Sequence, residues 1–118
     1  MIRGDVTPDT SPESCLPGAR SRPISLGDLA SHSAGLPRLP LALVRRKGVR
    51  NLTDPYADTT VDELIEHLAG VHMRRSTRMR YSNFGGALPG QALAARAGAP
   101  YERLIEERVL GPLGLTEV

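Results

Sequence analysis

At 118 residues the chain is one domain at most, or a piece of a larger one. Aromatic content is 3%, with no Trp and a single Phe, so aliphatic side chains must build whatever core there is. A formal net charge of +2, carried by 14 Arg and 1 Lys against 13 acidic residues, is too even for a dedicated polyanion binder, and no helix-turn-helix pattern accompanies it. Nucleic acid is therefore not an expected partner.

The first 23 residues contain Pro8, Pro12, Pro17 and Pro23 among scattered apolar residues, which predicts an extended arm with at most one turn of helix. Cys15 lies in this arm and is expected to be exposed. As the only cysteine it excludes an internal disulfide and any multi-cysteine metal site. No apolar stretch behind basic residues reads as a signal peptide, and no window has the ~18 apolar residues of a membrane span. Localisation stays open, because a leader on a longer parent is compatible with this sequence.

Ser25-Leu26-Gly27-Asp28 is an S-x-x-D capping box. It predicts a short helix with Leu26, Leu29 and Ala30 on its apolar face, stopped by Gly35 and Pro37. Residues 38–58 read as a long irregular loop containing Arg45-Arg46-Lys47, anchored by Leu39, Leu41, Leu43 and Val44. Thr60-Val61-Asp62-Glu63 is a second capping box, and Val61, Leu64, Ile65, Leu68 and Ala69 follow at helical spacing up to Gly70.

After a basic connector over 76–80, a third helix is predicted over 83–97 and closed by Gly98. Pro89 falls inside it, removing a backbone donor and crowding the preceding turn at a cost of ~3 kcal/mol, so a kink or break is expected there. A fourth helix begins at Pro100, with Tyr101, Leu104, Ile105 and Val109 on one face, and Gly111-Pro112-Leu113-Gly114 turns the chain afterwards. The composite is mainly α, with long loops and no strand alternation.

Tyr81-Ser82-Asn83-Phe84-Gly85-Gly86 is the stretch best equipped for chemistry, with a phenol and a carboxamide two positions apart just ahead of a helix. Ser82 between them reads as a helix cap, since no His or Lys is patterned to activate it as a nucleophile. His32 reads as a structural residue bonding the last carbonyls of its helix. His67 and His72 share no ligand spacing with the cysteine, so neither a metal nor a cofactor is expected. The cluster of Arg74, Arg75, Arg78 and Arg80 reads as a solvated connector.

Three segments in order resemble the serine β-lactamase family in its broad sense: class C β-lactamases, penicillin-binding DD-peptidases and related esterases. Residues 24–37, from Ile24-Ser25-Leu26 to His32-Ser33-Ala34-Gly35-Leu36-Pro37, resemble the family's I-T-L-R-x-L-L-x-H-T-S-G-L-P helix and turn. Tyr81-Ser82-Asn83 matches the Y-S-N form of its second catalytic motif. The stretch from Glu106 to Thr116, with Leu110-Gly111-Pro112-Leu113-Gly114-Leu115, is similar to its P-L-G-M segment. In that family a serine on an S-x-x-K helix attacks a carbonyl, the lysine helps take its proton, the motif tyrosine relays protons, and the motif asparagine holds the substrate amide. The resemblance thus implies a proton-transfer role for Tyr81 and a substrate-anchoring role for Asn83.

The first and third family motifs are not in this sequence. Lys47 is the sole lysine and Val44 stands three positions before it, so there is no S-x-x-K. Lys47-Gly48-Val49 is not K-T-G, and none of His32, His67 or His72 begins an H-x-G. The resemblance therefore implies a middle portion: a Pro-rich arm over 1–23, then a partial domain over 24–118. That domain is the helical lobe of the β-lactamase/transpeptidase-like α/β fold, without most of its central antiparallel sheet. Such a portion is expected to be inactive alone, its full-length parent acting on a small-molecule or peptide acyl substrate. The alternative is a non-catalytic helical module that binds a partner protein.

Overall fold

A computed structural model of the chain describes residues 6–19, 23–39, 41, 45, 59–74 and 78–115. Among these residues the secondary structure is helical, without strands, as the sequence predicts: α1 Pro12–Cys15, α2 Leu26–Ala30, α3 Val61–Gly70, α4 Asn83–Ala97 and α5 Tyr101–Ile105, the last continued by a π-helical turn over Glu106–Leu110.

α4 is the central element, with α1, α2, α3 and α5 all packing on it. It turns Phe84, Leu88 and Ala92, spaced four apart, into a core shared with Leu26 and Leu29 of α2 and Leu64 and Leu68 of α3. Phe84, Leu29, Leu68 and Leu88 are fully buried, so the single Phe sits at the centre of an otherwise aliphatic interior.

Both capping boxes form. In α2 the Ser25 hydroxyl accepts the Asp28 N–H at 3.1 Å and the Asp28 carboxylate accepts the Ser25 N–H at 2.9 Å. That backbone N–H favours the charged carboxylate and holds the Asp28 pKa below its usual value, with the Ser25 and Ser33 hydroxyls adding to it and partial burial opposing it. In α3, Thr60 and Glu63 exchange the same pair of bonds at 3.2 and 3.0 Å. α4 ends with Gly98 in the left-handed region (φ 63), where the Ala99 N–H reaches back to the Ala94 carbonyl at 3.2 Å.

Several expectations need correction. Cys15 is buried (8% exposed), because the single turn of α1 packs on α4 and turns Cys15 and Leu16 inward. The arm also supplies two acceptors to the start of α2. The Thr10 carbonyl takes the Leu26 N–H at 2.9 Å and the Pro8 carbonyl takes the Gly27 N–H at 2.7 Å. These are first-turn donors that have no partner inside the helix itself.

α4 runs through Pro89 without the predicted break. Four other helices pack on α4 along its length. α2 stops at Ala30, five residues before Gly35, and the left-handed residue that turns the chain is His32 (φ 58). Val109 is exposed, since the π-helical turn, closed by the Gly111 N–H on the Glu106 carbonyl at 2.8 Å, rotates it off the face of Leu104. Leu41 is exposed, against its expected anchoring role. Leu43, Val44, Arg46, Lys47 and most of the predicted loop lie outside the described residues, as does Arg75.

Candidate functional site

The Tyr81-Ser82-Asn83 turn is built around Ser82. Its backbone is extended (φ −138, ψ 113), which ends the incoming strand of chain and opens α4. The Ser82 hydroxyl accepts the Gly85 N–H at 2.9 Å and donates to the Pro37 carbonyl at 2.7 Å. At 2% exposure it is the one buried polar residue among those described, and both its donor and an acceptor site are used. With its proton given to a carbonyl, Ser82 is a cap and a tie to the 32–37 turn, in agreement with its expected capping role. The packing at Gly85 is tight, since a Cβ would sit 3.3 Å from both the Leu36 side chain and the Ser82 hydroxyl.

The 32–37 turn meets the motif along its length. The His32 carbonyl accepts the Arg80 N–H at 2.9 Å. The His32 Nδ1 accepts the Ser82 N–H at 3.4 Å. The imidazole and the Tyr81 ring lie with centroids 4.7 Å apart, tilted by 52°. Gly35, at φ 70, brings its carbonyl onto the Arg74 N–H at 3.0 Å, and a Cβ at Gly35 would collide with the Arg74 carbonyl oxygen. The expected role for His32, bonding the last carbonyls of α2, is thus only part of the matter, because its ring is spent on residues fifty positions away. No sequence spacing announces that pairing. The only local sign is a histidine, a residue enriched at positive φ, at the end of a helix.

Burial alternates through the motif. Tyr81 is 57% exposed, Ser82 is buried and Asn83 is partly buried at the first position of α4. Neither the Tyr81 hydroxyl nor the Asn83 carboxamide has a hydrogen bond to a described residue, while the serine between them is fully engaged. The turn therefore presents a phenol and an amide side by side with their polar atoms unspent. The crevice behind them, between His32, Leu36, Arg80 and Gly85, is too narrow to seat a water molecule. Arg74, Arg78 and Arg80 are exposed, as a solvated connector requires.

The described residues thus form a helical unit whose central helix is capped by the serine of a Y-S-N turn. The family model described as Beta-lactamase matches residues 3–118, and the chain belongs to that family. It is 30% identical over 108 residues to the D-alanyl-D-alanine-carboxypeptidase/endopeptidase AmpH of Escherichia coli (strain K12), a match covering 86% of this chain and 26% of that protein. It is 34% identical over 94 residues to Beta-lactamase-like protein 2 of Dictyostelium discoideum, covering 75% of this chain and 15% of the relative. The chain thus spans about a quarter or less of the length of these relatives. No solved structure gives a significant match.

Proposed function

We propose that this chain carries the second of three motifs of an acyl-transfer site, with Tyr81 as proton-transfer group and Asn83 as the anchor of the substrate amide. The observation that carries this reading is the exposed Tyr81 hydroxyl and the unpaired Asn83 carboxamide on either side of a buried, fully bonded Ser82. In the assembled site a serine on an S-x-x-K segment attacks a β-lactam, peptide or ester carbonyl. Tyr81 takes up the serine proton and returns it to the leaving group, which leaves an acyl ester on the serine. Water then attacks that ester and releases the serine. The Asn83 amide N–H donates to the substrate carbonyl oxygen and holds it in register.

By itself the 118-residue chain has neither the nucleophile nor the lysine, and removal of both ends the covalent route. Incubation of the isolated chain with a fluorescent penicillin or a fluorophosphonate should leave every serine unlabelled. Stoichiometric labelling at any serine would overturn this assignment.

The second reading, a non-catalytic helical module, draws on the core itself, which the described helices close around Phe84 and Leu88 without help from a sheet. A cooperative melt of a monodisperse chain, together with saturable binding to one partner protein, would favour it over the enzyme portion.

A further inference from the structure

His32 is the sole residue other than glycine at positive φ among those described (φ 58). Glycine would take that backbone with less strain, and the bond from the Arg80 N–H to the residue 32 carbonyl would survive the change. The side chain at this position makes contacts that glycine cannot make. The imidazole has two contacts, with the Ser82 N–H at Nδ1 and with the Tyr81 ring, tilted to it with centroids 4.7 Å apart. Together with the carbonyl, they engage three successive residues, 80, 81 and 82, from one position. On its other side the ring approaches Gly86, where a Cβ would lie in ordinary contact, 3.8 Å from His32 Cε1.

We infer that His32 is the positioning residue of Tyr81: its ring selects one side-chain rotamer of an exposed phenol while its Nδ1 fixes the backbone on which that phenol stands. An exposed tyrosine otherwise samples several staggered χ1 wells, and a proton relay needs one of them. Because the Ser82 N–H can only donate, Nδ1 is the unprotonated nitrogen and the neutral ring carries its hydrogen on Nε2. The consequence for catalysis rests on the proton-transfer reading of Tyr81, whereas the geometry stands without it.

The experiment is NMR on the full 118-residue chain at pH 8, comparing wild type with His32→Asn and His32→Ala. Asparagine tolerates positive φ and places an acceptor oxygen near the Nδ1 position, but it has no ring to set against Tyr81. In the wild type, long-range nitrogen–proton correlations should show Nδ1 unprotonated and Nε2 protonated, with contacts between the His32 and Tyr81 rings. His32→Asn should keep the Ser82 amide resonance and its exchange protection while the Tyr81 ring signals move to those of a free tyrosine. His32→Ala should lose both. A protonated Nδ1 in the wild type, absence of His32–Tyr81 ring contacts there, or Tyr81 ring signals unchanged in His32→Asn would overturn the assignment, and the two wild-type readouts together decide the matter even for a variant that does not fold. No substrate enters these readouts, so failure of the proton-transfer role would leave them intact.

Discussion

The junction between residues 32–37 and 80–86 and the segment from Pro100 to Leu115 follow opposite rules. At the junction, polar atoms are paired: the Ser82 hydroxyl, the His32 and Gly35 carbonyls and the Arg74, Arg80 and Ser82 amides all have partners, next to the fully buried Phe84. In the later segment α5 starts at Tyr101 behind Pro100 with no side-chain cap, the Arg103–Glu107 pair at 2.7 Å lies in solvent, and Val109, Leu113 and Leu115 are exposed. Order is thus concentrated under the Y-S-N turn, where the proposed chemistry requires fixed geometry, and the far end contributes little beyond Leu104.

Truncating Phe84 to Ala probes that contrast most severely. It should cost about 3–5 kcal/mol in urea unfolding, and a loss under ~1 kcal/mol would mean the core is not centred on the junction. Ser82→Ala comes next, at about 2–4 kcal/mol, because the missing cap is worth ~1 kcal/mol and the stranded Pro37 carbonyl another 1–3. A loss no larger than that of an ordinary cap would show that the bond to Pro37 adds nothing.

Smaller still is the pH dependence from Asp28. Its folded pKa is depressed, so its contribution is fully present above the ordinary carboxylate pKa of about 3.9 and is lost as the pH falls through the lower folded value. The group is largely solvated, and the effect should be a fraction of a kcal/mol. Asp28→Asn should flatten the acid limb of the stability profile. At the bottom of the scale, Leu113→Ala should change stability by no more than ~0.5 kcal/mol. A substantially larger loss would show that the far end is better packed than its exposure indicates.

What could be read from the sequence was the local part. The capping boxes at Ser25–Asp28 and Thr60–Glu63, the extent of α4 and its left-handed close at Gly98 depend on residues within one or two turns of each other, and all formed where expected. The errors come from contacts distant in sequence. Cys15 is buried because α1 meets α4, and α4 continues past Pro89 as one helix with four others packed on it. Val109 is exposed because a π-helical turn breaks the register on which a periodicity argument depends.

The candidate site divides in the same way. Tyr81 and Asn83 were legible as a motif and Ser82 as a cap, but the grip of His32 on all three residues before α4 had no signature in spacing. The identity of the turn is written in six consecutive residues, and its rigidity is written fifty residues away.

The proton-transfer role of Tyr81 is tested most directly by a graft. The segment of the Escherichia coli carboxypeptidase/endopeptidase that aligns with this chain is replaced by the chain, and release of terminal D-alanine from a D-alanyl-D-alanine peptide is measured with and without Tyr81→Phe. Removal of a proton-transfer hydroxyl should lower kcat by about 10²–10⁴-fold while KM changes little. An active graft whose Tyr81→Phe variant turns over at the same rate would contradict the role assigned to Tyr81.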